Sequence, residues 1–278
     1  MERLSMNSGV KTQLRDICQS LAFSSLITAN PNRQKRCQQA EGKNIVRRLL
    51  FTHLLLPLAL LLFSIGGSVF LDLDRRLADL IFALQGGAWT LQHHWLTETV
   101  LHSGGRMLAG VMIVGLFSAL IASFLRPGWH PYRRALTYLT VTILISFALI
   151  NGLKAISGVP CPWSVARYGG STAFHDWFAG FSGGHGCFPA GHASGGYVWV
   201  ALYFFALIHY YDRRYHALAI GIILGLAFGI AQQFRGAHFL SHDLVTLGIC
   251  WLTSLSAFLL WFRNDFPTLS HITRVEEK

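Results

Sequence analysis

Four ionisable side chains fall within nine positions in the stretch RGAHFLSHD: Arg235, His238, His242 and Asp243. Long apolar runs flank it on both sides. An ionisable residue at a bilayer centre costs roughly 2.5–3.5 kcal/mol, so such groups line a functional cavity or sit near the interface. An imidazole can act as nucleophile or proton carrier, a guanidinium can hold an anion, and a carboxylate can orient an imidazole. Two further stretches carry the same kinds of group: NGLKAISGVPCPW with Lys154, and GGHGCFPAGHASGG with His192. Together they suit the binding of an anionic group and proton transfer around it.

The elements that hold these residues follow from composition. Of 278 residues, 52% are hydrophobic and 13% charged, against about 25% charged in soluble domains, which indicates an all-α integral membrane protein. The formal charge of +10 could suit nucleic acid, but no basic block is interleaved with stacking aromatics, and cytoplasmic loops of membrane proteins collect Lys and Arg. No nucleic-acid partner is expected. About 20 apolar residues cross the hydrocarbon core, and six runs qualify: 49–70, 107–125, 135–155, 193–210, 217–234 and 244–262. Residues 71–106 are too polar to span and read as one or two interfacial helices. Residues 1–45 form a polar, basic cytoplasmic segment with no long apolar stretch before residue 49, and with a short helix around Leu14–Ile27. The six-helix domain covers 46–264, and 265–278 form a cytoplasmic tail.

The positive-inside rule orients the bundle. Lys35, Arg36, Lys43, Arg47 and Arg48, then Arg126, Arg133 and Arg134, then Arg213 and Arg214, and finally Arg263 all fall on one side of a six-span chain. Both termini are expected in the cytoplasm. The connection over 156–192 and the turn over 235–243 then share the outer face, where Lys154 closes the third span and His192 opens the fourth. A helix N-terminus there would favour an anion, and Gly191, Gly195 and Gly196 would let backbone or substrate approach closely.

Lys154-x6-Cys161-Pro162, then Pro189-Ala190-Gly191-His192, then Arg235-x2-His238-x3-His242-Asp243 resembles the type 2 phosphatidic acid phosphatase (PAP2) superfamily. Its signatures are K-x6-R-P, P-S-G-H and S-R-x5-H-x3-D, in that order, on a six-helix membrane core. The resemblance covers roughly residues 107–262. Cys161 stands where the family has arginine and Ala190 where it has serine. Gln232 takes the place of the third motif's arginine, with Arg235 one turn later, and His242 takes the place of its aspartate, with Asp243 next.

The resemblance implies a phosphatase acting on a phosphorylated lipid at the outer face of a bacterial inner membrane. It implies His238 as the nucleophile that forms a phosphohistidine, held by Asp243 or by His242, and His192 as general acid. Lys154, Arg235, Gly191 and His242 would bind the phosphate. Cofactor and metal are both expected to be none. A polyprenyl diphosphate, lipid A, phosphatidylglycerol phosphate and phosphatidate all remain open as substrates. Transfer of phosphate to another lipid, or binding and transport without catalysis, are alternative readings, and the oligomeric state is open. Gln232 and Gln233 serve either the site or helix–helix hydrogen bonds. Cys161 and Cys187 both fall in the outer connection, where an oxidising compartment would permit a disulfide. Residues 167–186 read either as a lid or as interface anchors through Trp163, Trp177 and Phe178. His93, His94 and His102 read as an interfacial patch.

Overall fold

Within hydrocarbon, a chain must satisfy its backbone polar groups internally, so apolar runs of this length become helices. The computed structural model describes residues 47, 50–173 and 186–265. Among them there is no strand, only an isolated bridge between Val165 and Thr172. The chain divides into residues 1–50 with 264–278, and a compact unit Phe51–Arg263 that carries everything below. The helix expected over 14–27, Cys18, Cys37, Trp177 and Phe178 lie outside the described residues.

A π-helical turn (Leu50–Leu55) runs into α1 (Leu56–Phe70), and α2 (Leu73–Leu84) follows after a left-handed Asp72. A π-helical run (Leu96–Gly104) continues directly into α3 (Gly105–Leu125). A 3-10 stretch (Pro127–Tyr132) leads into α4 (Arg133–Ser157). Next, α5 (Gly191–Tyr197), a 3-10 turn (Val198–Val200) and α6 (Ala201–His209) follow one another as a single apolar span. Among the described residues the last two helices are α7 (Arg214–Phe234) and α8 (Leu240–Trp261). Six helices among the described residues are long and apolar enough to cross a membrane: Leu50–Ser68, Leu96–Leu125, Pro127–Ser164, Gly191–His209, Tyr211–Phe234 and Leu240–Trp261. The protein is therefore an all-α, polytopic bundle.

The second span starts at Leu96, earlier than hydropathy suggests, because its first turns carry polar groups that serve the protein interior. Thr97 is buried, and its hydroxyl donates to the carbonyls of Leu91 and His94. The bundle reverses the pattern of a soluble core. Phe63, Phe70 and Leu125 are 81%, 88% and 75% exposed, whereas Ser241, His242 and Thr246 are buried.

The helix α7 packs most closely on α5, through small residues four apart. A Cβ at Gly221 would lie 2.4 Å from the Val200 nitrogen, and one at Gly225 would lie 2.0 Å from the Tyr197 ring. Small residues at such spacing let backbones approach, the usual device where helices meet within lipid. Helix α8 packs against α4, α1 and α5.

The loops at one end of the bundle are tied to each other. The Gly186 amide donates to the Lys154 carbonyl (3.3 Å) and the Trp163 amide to the Gly236 carbonyl (2.9 Å). The Gln85 side chain donates to the Phe234 carbonyl (2.9 Å). Gly236 has φ +71°, and the Trp89 indole lies where its Cβ would be, 2.5 Å away. Only glycine combines that backbone with room for the indole.

Candidate active site

Helix α8 supplies the frame. Its N-cap residue, Phe239, makes no side-chain capping bond. Instead, Asp74 on α2 accepts hydrogen bonds from the Ser241 amide (2.9 Å) and from the Ser241 hydroxyl. A carboxylate at a helix N-terminus meets unpaired N–H groups and the positive dipole end. Burial raises the Asp74 pKa above the usual carboxylate range, opposed by the two Ser241 bonds.

His238 sits in the turn between α7 and α8 and is 5% exposed. Burial lowers its pKa well below the ordinary histidine value, and the nearby His242, Lys154 and His192 depress it further. The ring is therefore neutral at physiological pH and keeps a lone pair. Its Nδ1 has no hydrogen-bond partner among the described residues. His242, one turn into α8, lies with its ring 5.7 Å from that of His238. Its Nδ1 lies 3.0 Å from the Cys187 carbonyl; a carbonyl only accepts, so this nitrogen carries the hydrogen.

Asp243 goes elsewhere. Successive helical residues turn by about 100°, and this rotation directs Asp243 onto α7, where the Gln233 side-chain amide donates to it (2.5 Å). A Cβ at Gly229 would come within 2.8 Å of its carboxylate. The described hydrogen bonds of Asp243 thus run to Gln233 and not to His238, the partner the motif suggests.

His192 stands at the start of α5. Its Nε2 faces the Leu101 carbonyl (3.3 Å), and its ring lies 4.4 Å from that of His102 and 5.3 Å from that of Phe228. Lys154, in the last turn of α4, brings its ammonium to 3.4 Å from where a Gly191 Cβ would be. The Arg235 guanidinium is buried. It donates through Nε to the Gln92 carbonyl (2.8 Å) and through an Nη to Gln232 (3.4 Å), and lies 3.8 Å from Glu98. Gln232 in turn lies 3.0 Å from Nδ1 of His102. Arg235, Gln232, His102 and His192 therefore form one chain of contacts, and His102 belongs to the site rather than to an interfacial patch. His93 does stay at the surface, 3.1 Å from Glu98.

Cys161 and Cys187 form a disulfide, with Cα atoms 5.2 Å apart. The bond fixes the residue whose carbonyl holds His242. Ala190 is fully buried, and its carbonyl accepts from the Thr246 hydroxyl (3.4 Å). Gly191 gives Lys154 its room. Among the described residues no group of three or more His, Cys, Asp or Glu side chains could hold a metal ion.

The sequence pattern misses His102, Gln92, Glu98 and Asp74. Only His102 carried a signal: an ionisable residue just ahead of a span. The sequence model of the PAP2 superfamily matches residues 135–266, which contain Lys154, His192, Arg235, His238, His242 and Asp243, and this match supports membership of that superfamily. Members are generally phosphatases. No curated protein and no solved structure matches the chain.

Proposed function

We propose that the protein is a membrane lipid-phosphate phosphatase working at the outer face of a bacterial inner membrane, with both termini in the cytoplasm. One observation carries the reading: a buried, neutral imidazole shares the end of a membrane bundle with a second imidazole and two cations. His238, Lys154, His192 and Arg235 are those groups. Six apolar spans around such a site suit a substrate that resides in the bilayer.

In the first step a lone pair of the His238 ring attacks phosphorus, the P–O bond to the lipid breaks, and His192 gives its proton to the leaving oxygen. In the second step His192 takes a proton from water, the hydroxide attacks phosphorus, and the P–N bond breaks to release phosphate and free His238. Lys154 and Arg235 offset the charge on the phosphoryl oxygens as it develops, and preorganised donors of this kind are often the largest contribution to such catalysis. Gly191 and His242 complete the cradle, and Asp243 supports it from behind through Gln233.

The test is phosphate release by detergent-purified protein from phosphatidate, phosphatidylglycerol phosphate, a polyprenyl diphosphate and lipid A, with EDTA present. The expected result is release from at least one, lost in His238→Ala. Release that survives the substitution assigns the wrong nucleophile. Loss of substrate with label appearing in a second lipid, and no free phosphate, makes the protein a phosphotransferase.

A further inference from the structure

The family match begins at residue 135, so the π-helical run Leu96–Gly104 lies outside it, yet two of its residues reach His192. An α-helix would pair the Gly105 amide with the Leu101 carbonyl, one turn back. Here that amide donates to the His102 carbonyl instead, which releases the Leu101 carbonyl from its α-helical donor. His192 takes it: Nε2 of the ring lies 3.3 Å from that oxygen. A carbonyl only accepts, so Nε2 carries the hydrogen and the lone pair of the neutral ring is on Nδ1. At 3.3 Å the bond is longer than the usual range of about 2.7–3.2 Å, so it holds the ring only weakly by itself.

The second restraint comes from the next residue. The His102 ring lies 4.4 Å from the His192 ring and is tilted by 34° to it, a partly stacked contact. His102 is itself held. A guanidinium only donates, so the bond from Arg235 (3.4 Å) fixes the Gln232 oxygen on that side and turns the amide nitrogen to His102. Nδ1 of His102 accepts from that nitrogen (3.0 Å), so this atom is not a proton donor. Arg235 is buried and also donates to the Gln92 carbonyl, which anchors the whole chain of contacts in the backbone.

We propose that His102 is a positioning residue for His192. Its ring and the Leu101 carbonyl together hold the imidazole with the Nε2 hydrogen engaged, and Nδ1 is the atom that handles the transferred proton. Which nitrogen of an imidazole does so is set by the hydrogen bond that the other makes. Nδ1 is bonded to Cγ and so lies on the backbone side of the ring, near the start of α5, where Gly191 and the Lys154 ammonium stand. As the P–O bond breaks, its electron pair stays on the lipid oxygen, which takes the Nδ1 proton and leaves His192 in the neutral Nε2–H form. In the second step Nδ1 takes a proton back from the attacking water. The catalytic consequence rests on the phosphatase reading; the hold on the ring does not.

The experiment therefore has two readouts. Ring-nitrogen NMR of protein with ¹⁵N-labelled histidine in micelles at alkaline pH, with the His192 signal assigned by its loss in His192→Asn, reports the tautomer. Wild type is expected in the Nε2–H form. His102→Ala, which removes the ring face, is expected to give a mixture of both tautomers. His102→Phe, which keeps a flat ring there, is expected to restore the wild-type form. Hydrolysis of dioctanoyl phosphatidate is the second readout. In His102→Ala kcat should fall on the order of 10- to 100-fold, as misplacement of a catalytic group does, with KM within about twofold, and phenylalanine should recover most of the loss. Wild type in the Nδ1–H form overturns the inference without any variant. A folded His102→Ala with unchanged tautomer or unchanged kcat also overturns it, as does a His102→Phe protein that behaves like the alanine variant. If His102→Ala fails to fold, His102→Leu, bulky but not flat, takes its place. A tautomer that responds in protein that hydrolyses no lipid phosphate keeps the His102 link and overturns the phosphatase reading.

Discussion

At the scale of single residues, the environment of each imidazole defines its role. His238 is neutral because burial, aided by positive neighbours, lowers its pKa well below 6.5. Its unfolded form takes up a proton below about 6.5 and its folded form does not, so folding stability is lost as pH falls through that range. We expect the thermal midpoint to drop between pH 7.5 and 5.5, and the drop to shrink in His238→Gln; an equal drop in both proteins would refute the assignment. Because the folded ring stays neutral there, kcat/KM should show no loss between pH 7 and 6 from ionisation of the nucleophile. In the proposed mechanism His192 delivers a proton to the leaving oxygen. Replacing it by asparagine should lower kcat by about 10²- to 10⁴-fold, the usual contribution of general acid–base catalysis, with KM little changed. A KM effect alone would make His192 a binding residue. The convergence of these two histidines and Lys154 at one end of the bundle was legible in sequence, because all three stand in spaced motifs at helix ends. Asp74 was not, since no periodicity reveals that a carboxylate caps a helix 167 positions further along the chain.

At the scale of elements, close approach of backbones decides where those side chains go. The face of α7 that carries Gly221, Gly225 and Gly229 meets α5 and the Asp243 carboxylate with no room for a Cβ. Gly225→Ala would drive its methyl into the Tyr197 ring, 2.0 Å away, and overpacking of this kind costs about 1–3 kcal/mol. Gly110 on α3 has nothing within 4 Å of its would-be Cβ, so Gly110→Ala should be tolerated or even stabilise by helix propensity. Thermal unfolding of the two variants side by side tests the packing: equal midpoints would mean that α5 and α7 yield without cost. The six spans themselves were readable from hydropathy, because a bilayer accepts little besides long apolar helices. The start of the second span was not. Thr97, Glu98 and His102 lower the local hydropathy while facing protein groups instead of lipid, and averaged hydropathy cannot distinguish those two surroundings. The direction of Asp243 was hidden for a related reason, since the motif places it beside His238 in sequence while helical rotation turns it to Gln233.

At the scale of the whole molecule, charge and covalent chemistry sort the two ends of the bundle. Arg126 and Arg213 in the connections, with Arg133, Arg134 and Arg214 in the first turns of α4 and α7, lie at the end away from His238, a clustering of the kind expected at a cytoplasmic face. The Cys161–Cys187 bond lies at the site end, and disulfides persist in oxidising compartments. Both observations favour the same sidedness by unrelated physics. The bond spans 26 positions, and closing a loop of that length is worth about 3–4 kcal/mol in the chain-entropy model. It also restrains the Cys187 carbonyl that holds His242, so its loss should be felt in the site as well as in the fold. Cys187→Ser is expected to lower the unfolding free energy by about that amount and to reduce kcat more than it raises KM. Denatured wild-type protein, taken from membranes with thiols blocked, should leave Cys161 and Cys187 unlabelled by a maleimide until a reductant is added. Labelling of both without reductant would place this end of the bundle in a reducing compartment, and the proposed phosphatase activity would then have to act on the cytoplasmic leaflet.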